Sequence, residues 1–165
     1  MADWTVVRDY GLPVQDEYTK TKSLETLLRD HPEFISGFAV EVIGDSSESW
    51  FVRSEACRLI RDVEVDNWSD LGLCQVLLKI LNDDDQDLTL RQWAAFLVGK
   101  CQDNCEIADL VAQLIVQSDD LQWNLLEPLE ESEMISPAMK KALTEITLTA
   151  PLDSRVRATV AKLIG

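Results

Sequence analysis

The chain has 165 residues, with 15 Lys+Arg against 30 Asp+Glu and a formal net charge of -15. A body this acidic repels phosphate backbones and anionic lipid, so direct binding to nucleic acid or to a membrane surface is not expected and a basic partner is. At 46% hydrophobic the sequence is too apolar for a disordered acidic tail and suits one compact domain with its own core.

The first residues show no basic-then-apolar leader pattern, and no apolar run approaches the roughly 18 residues of a membrane span, so a cytoplasmic protein is expected. In such a protein Cys57, Cys74, Cys101 and Cys105 are expected as reduced, mostly buried thiols. With 6 Gly and 5 Pro and no period-2 alternation, nothing predicts a sheet. Leu24, Leu27 and Leu28 mark a first helix after Ser23. Pro32 opens a second that carries Phe34, Ile35, Phe38, Ala39, Val42 and Ile43 and stops at Gly44.

Helical spacing then predicts elements around Trp50 to Ile60, Leu73 to Leu81 and Leu90 to Val98 with Gly99 near the end. Others follow around Ile107 to Ile115, Trp123 to Leu129, and Met139 to Ile146 behind Pro137; the last runs from an Asp153 cap to Ile164. Nine helices with brief connections make the expected class all-α. Trp50, Trp93 and Trp123 fall on apolar faces and are expected to pack inside. Trp68, in the acidic connection with Glu64, Asp66 and Asp70, either staples the next helix or stands exposed as an interface anchor.

One pattern recurs. Ser49-Trp50-Phe51-Val52-Arg53-Ser54-Glu55-Ala56 parallels Asp87-Leu88-Thr89-Leu90-Arg91-Gln92-Trp93-Ala94, and both parallel Asp153-Ser154-Arg155-Val156-Arg157-Ala158-Thr159-Val160. A weaker copy starts at Asp120, with Asn124 in place of the Arg and Glu127 where the small residue belongs. Arg53 and Arg91 are 38 apart, and Asp87, Asp120 and Asp153 are spaced by 33 and 33, which are periods of a helix-pair repeat.

In these residues the chain resembles the HEAT-like, armadillo-type helical repeats, whose second helix opens with an Asp-x-x-Val-Arg pattern followed by a small residue. The resemblance covers roughly residues 32–165. It implies a short right-handed α-solenoid of about four helix pairs: 32–43 with 49–62, 70–82 with 87–100, 105–117 with 120–130, and 137–148 with 153–164. Residues 1–31 would form an N-terminal segment and capping helix. By the same resemblance Asp87, Asp120 and Asp153 cap helices, and Arg53, Arg91 and Arg157 bond across to neighbouring repeats as structural residues.

Chemistry-bearing patterns are scarce. The only histidine, His31, precedes Pro32 at a helix boundary, and no nucleophile elbow, phosphate-binding glycine loop or zinc-protease motif occurs. Cys101 and Cys105 have the spacing of half a zinc site but lack two further ligands. Asp83-Asp84-Asp85-Gln86-Asp87 starts like a calcium loop, yet Leu88 stands where Gly is required and Ala94 where the bidentate Glu is. No catalytic residue, metal or cofactor is expected.

Charge distribution is the most informative functional feature. Residues 101–139 hold no Lys or Arg and nine acids, among them Asp103, Glu106 and Asp109. In a helix-pair stack the turns within repeats share an edge, which would gather Asp45, Asp83, Asp84, Asp85, Asp119 and Asp120. Connections between repeats would place Glu130, Glu131 and Glu133 on the other edge, near Glu127. Asp83, Asp84, Asp85, Asp119, Asp120, Glu127, Glu130, Glu131 and Glu133, with Trp68, are the expected partner-binding residues. The expected function is a non-catalytic, monomeric protein-binding module, similar in type to small acidic bacterial immunity proteins, that occludes the active site of a basic toxin such as a nuclease. The other reading is a HEAT-repeat adaptor, scaffold or chaperone-like subunit of a cytosolic enzyme.

Overall fold

The computed structural model describes residues 4, 16–63, 72–101, 105–131, 135–150 and 154–165, with the backbone alone at 33–36, 100, 105, 106 and 131. Among the described residues there are nine α-helices, two 3-10 turns and no strand. The chain divides into two compact units, Met1–Trp93 and Ala94–Gly165.

In the first unit α1 (Glu17–Asp30) begins well before Ser23, because Asp16 accepts the Thr19 N–H at 2.9 Å and the Thr19 hydroxyl at 2.7 Å. Its polar first half has no apolar stripe to show in sequence, and Ser23 returns its hydroxyl to the Thr19 carbonyl at 2.8 Å. Pro32 stands at the start of α2 (Pro32–Gly44), and Ser49 caps α3 (Trp50–Ile60) by accepting the Val52 N–H at 3.3 Å. α4 (Leu73–Leu81) and the first half of α5 (Leu88–Val98) complete the unit. α1 packs on α2 and α3, and α2 packs on α3 and α4. Leu24, Leu27, Ile43, Ile60, Leu73, Leu77 and Leu81 are sealed between them, each contributing about 1.5–3 kcal/mol of burial.

Gly44 does not stop α2 by a left-handed turn: it is the last helical residue, and the extended Asp45 follows it as the cap. A Cβ on Gly44 would lie 3.5 Å from both Val76 methyls of α4, an ordinary contact, so the packing of α2 on α4 does not require glycine. Gly72 is the position that needs glycine, since it enters α4 with φ at 68°.

The second unit contains the rest of α5, the 3-10 turn Gly99–Cys101, α6 (Cys105–Gln117), α7 (Gln122–Leu126), the 3-10 turn Glu127–Glu131, α8 (Pro137–Thr149) and α9 (Arg155–Ile164). α6 packs on α7 and α8, and α9 on α7 and α8. The helix expected over 120–130 is a five-residue α7 that tightens into 3-10 form at Glu127. Pro128 has no N–H to continue the α ladder. Asp120 is not its cap: the turn from Ser118 to Leu121 delays the start, and Leu121 takes the cap position without a side-chain bond. Ser136 caps α8, and Ser154 rather than Asp153 caps α9, accepting the Arg157 N–H at 3.0 Å. Asp153 lies outside the described residues.

Two expectations about buried groups need correction. Cys74 and Cys101 are disulfide-bonded rather than thiols. Helical spacing reads their burial, at 3% and 5% exposure, but not the oxidation state of a sulfur. Cys57 is free and fully buried, and desolvation pushes its thiol pKa up to about 12. Trp50 is not in the core: as the first residue of α3 it overhangs the helix end and is 47% exposed. Among the described residues no helix is long and apolar enough to cross a membrane.

Candidate functional site

The repeated arginines organise the helix ends. Arg53 Nε donates to the Ile43 carbonyl at 2.9 Å, and Arg91 Nη2 donates to the Leu81 carbonyl at 3.1 Å, each reaching back ten residues to close the helix before its own. Arg157 Nη1 reaches the Ala150 carbonyl behind α8 at 3.4 Å. Arg53 also spans forward: Nη1 donates to Gln86 Oε1 at 2.8 Å, and Gln86 Nε2 donates to Asp83 Oδ2 at 2.7 Å. Arg53 is buried, and desolvation lowers its pKa although Asp45 and Asp83 oppose that. The start of α3 and the turn before α5 therefore share one end of the first unit.

That end carries both charge and apolar surface. Trp50 and Phe51 meet edge to face at 5.9 Å and are 47% and 38% exposed, and Leu88, in the register of Trp50 at the start of α5, is 45% exposed. The turns that lead into these helices carry Asp45 before α3 and Asp83, Asp84 and Asp85 before α5. Asp83 is held below the usual carboxylate range by the Gln86 amide and the Asp85 N–H. Asp84 meets Arg91 Nη2 at 2.8 Å, while Asp85 forms no ion pair among the described residues. Asp87 Oδ1 accepts the Thr89 N–H at 2.8 Å at the start of α5. Glu48 is drawn inward instead, by Lys20 at 2.7 Å and by the Trp4 indole N–H at 3.1 Å.

The other expected acids belong to the second unit. Asp119 accepts the Gln122 amide at 3.3 Å, and neither Asp119, Asp120 nor Glu127 makes an ion pair among the described residues. Glu130 approaches Lys162 Nζ at 3.8 Å. Glu127 and Glu130 line a groove of about 310 Å³ between α7 with its 3-10 extension and α9, together with Trp123, Arg155, Ala158, Thr159 and Lys162. Trp123 is half-buried, with the Arg155 guanidinium 3.6 Å above its ring. Trp93 is likewise half-buried, with the Arg61 guanidinium 6.0 Å from its ring centroid.

Trp68, Glu64, Asp66, Asp70, Asp103 and Glu133 lie outside the described residues, as do the side chains of Glu106 and Glu131. Sequence reasoning missed Trp50, Phe51 and Leu88 as surface groups. The available signal was their position at helix starts, one or two residues after a cap, where the inward stripe is not yet established. It also missed Arg155, whose partner Trp123 is 32 residues away. Among the described residues no group of three or more His, Cys, Asp or Glu is placed to hold a metal ion. The chain matches no protein-family model, no curated protein and no solved structure.

Proposed function

We propose that this chain is a non-catalytic protein-binding module built from HEAT-like helix pairs in a short right-handed solenoid, and that it inhibits a basic protein, a toxin domain such as a nuclease, by covering its active site. The repeat reading is supported within each unit by the packing of α2 on α3 and α4, and of α6 on α7 and α8 with α7 on α9. It is supported also by the arginines that close successive helices from the same motif position.

The observation that carries the binding reading is the exposed Trp50–Phe51 pair at the start of α3, a helix that the Arg53–Gln86 bond ties to the turn holding Asp83, Asp84 and Asp85. Solvent-exposed aromatics flanked by carboxylates offer an apolar anchor with a polar, anionic rim. Such a surface combines slow dissociation with steered encounter of a cationic partner. A chain with net charge -15 adds long-range attraction that salt screens.

The test is affinity capture from native extract with the wild-type chain and with an Asp85→Lys, Asp119→Lys, Asp120→Lys variant, followed by an activity assay on the captured protein. A basic protein held by the wild type, released by the variant and inactive in the complex is the expected result. Equal capture by both chains would overturn the electrostatic reading. A captured enzyme that remains active in the complex would make the chain an adaptor.

A further inference from the structure

The carboxylate of Glu48, in the turn between α2 and α3, is held at both oxygens. Its Oε2 accepts the Lys20 ammonium of α1 at 2.7 Å and the Trp4 indole N–H at 3.1 Å, and its Oε1 accepts the Ser49 N–H at 3.1 Å. Ser49 is the N-cap of α3, and Trp50 and Phe51 are the first two residues of that helix. One carboxylate therefore joins Trp4, 44 residues away in sequence, to the end that carries the exposed aromatic pair. Trp4 also touches the other groups around it. Lys20 Nζ stands over the indole, 5.1 Å from the ring centroid, and the ring meets Phe38 of α2 edge to face at 5.3 Å. The Lys20 and Glu48 side chains are only 19% and 9% exposed, so the pair is sheltered from the water that would weaken it.

We propose that Trp4 is a positioning residue, a latch that fixes the Glu48 carboxylate on the N-terminus of α3 and thereby presets the Trp50–Phe51 anchor. Withdrawing the indole removes a donor from Glu48 and opens its pair with Lys20 to solvent. The carboxylate then loses the fixed place from which it holds the Ser49 N–H, and the first turn of α3 frays. With the latch seated, the aromatic pair meets a partner already ordered; with it withdrawn, that order has to be created during binding and weakens it. This consequence for binding rests on the basic-partner reading above, whereas the latch itself is tested on the chain alone.

The experiment is native-state hydrogen exchange on the full-length ¹⁵N-labelled chain and its Trp4→Phe and Trp4→Ala variants. Trp4→Phe keeps an aromatic ring and removes the N–H donor. The Val52 and Arg53 amides, which bond to Ser49 at the start of α3, report the latch. The amide of Leu81, at the end of α4, reports the stability of the unit as a whole. In Trp4→Ala the Val52 and Arg53 amides should exchange about five- to tenfold faster, with a smaller acceleration in Trp4→Phe, an unchanged Leu81 and a displaced Trp50 indole N–H signal. Equal acceleration of Leu81 would make Trp4 an ordinary packing residue and overturn the proposal. Unchanged Val52 and Arg53 amides in Trp4→Ala, or a Trp4→Phe chain that exchanges like the wild type, overturn it as well. None of these signals involves a partner, so the basic-partner reading stands or falls separately, on the capture experiment.

Discussion

Arg53 and Gln86, 33 residues apart, are joined by a 2.8 Å hydrogen bond that ties α3 to the turn before α5. The same guanidinium closes the end of α2 through the Ile43 carbonyl, so one buried side chain serves three elements of the first unit. Replacing Arg53 with Met keeps most of the stem and removes every donor, leaving the Ile43 carbonyl and Gln86 without their partner. Urea unfolding should show a loss of about 2–4 kcal/mol. Arg157→Met, which breaks a single 3.4 Å bond from a half-buried position, should cost less than about 1.5 kcal/mol.

Gly44 and Gly72 of the first unit should respond in opposite directions. Gly72→Ala meets no atom within 4 Å, so its cost comes from holding a Cβ at φ 68°, about 1 kcal/mol of lost stability. Gly44→Ala places its methyl in ordinary contact with Val76 and lowers the entropy of the unfolded chain. The expected gain is about 0.5 kcal/mol. Thermal melts of the two variants side by side check both signs.

Acid should loosen the first unit only once pH has fallen into the ordinary carboxylate range and below it. The carboxyls of Asp83, Asp16 and Glu25 are lowered, chiefly by the Gln86 amide, the Thr19 N–H and Lys22 respectively. A lowered folded-state pKa gives stability that is fully present above the unfolded value, near 4, and is lost as pH falls through the folded one. Stability measured from pH 6 to pH 2 should therefore decline below about pH 4. Asp83→Asn should flatten part of that decline while leaving the neutral-pH spectrum unchanged.

How much of this was readable from sequence depends on what each residue signals locally. The all-helical class, Pro32 and Pro137 at helix starts, and the bounds of α6 follow from spacing and capping chemistry that lie within a few residues. The arginine motif was legible as a repeat, yet its partners, the Ile43 and Leu81 carbonyls, are backbone atoms that carry no sequence mark. Trp50 was misplaced because amphipathic periodicity assigns a face and not a height along the helix. Of the expected binding acids, Asp84 turned out to be paired with Arg91, and Asp119, Asp120 and Glu127 are unpaired among the described residues, a distinction composition alone does not draw.

Truncating Trp50 should separate binding from folding. With 47% of the side chain exposed, Trp50→Ala is expected to change stability by less than about 1.5 kcal/mol. If the aromatic pair anchors a partner, dissociation should accelerate by at least tenfold. Reversing Asp85 should mainly slow association, an effect that shrinks as ionic strength rises. Surface plasmon resonance at two salt concentrations resolves the two rates.

The sealed sulfur of Cys57 makes the first unit its own stopwatch. A thiol with no exposed surface and a pKa near 12 cannot be alkylated while α3 holds its place against α1 and α2. Each modification event, located at Cys57 by peptide mass mapping, therefore records one opening of that packing, with no probe needing to be installed.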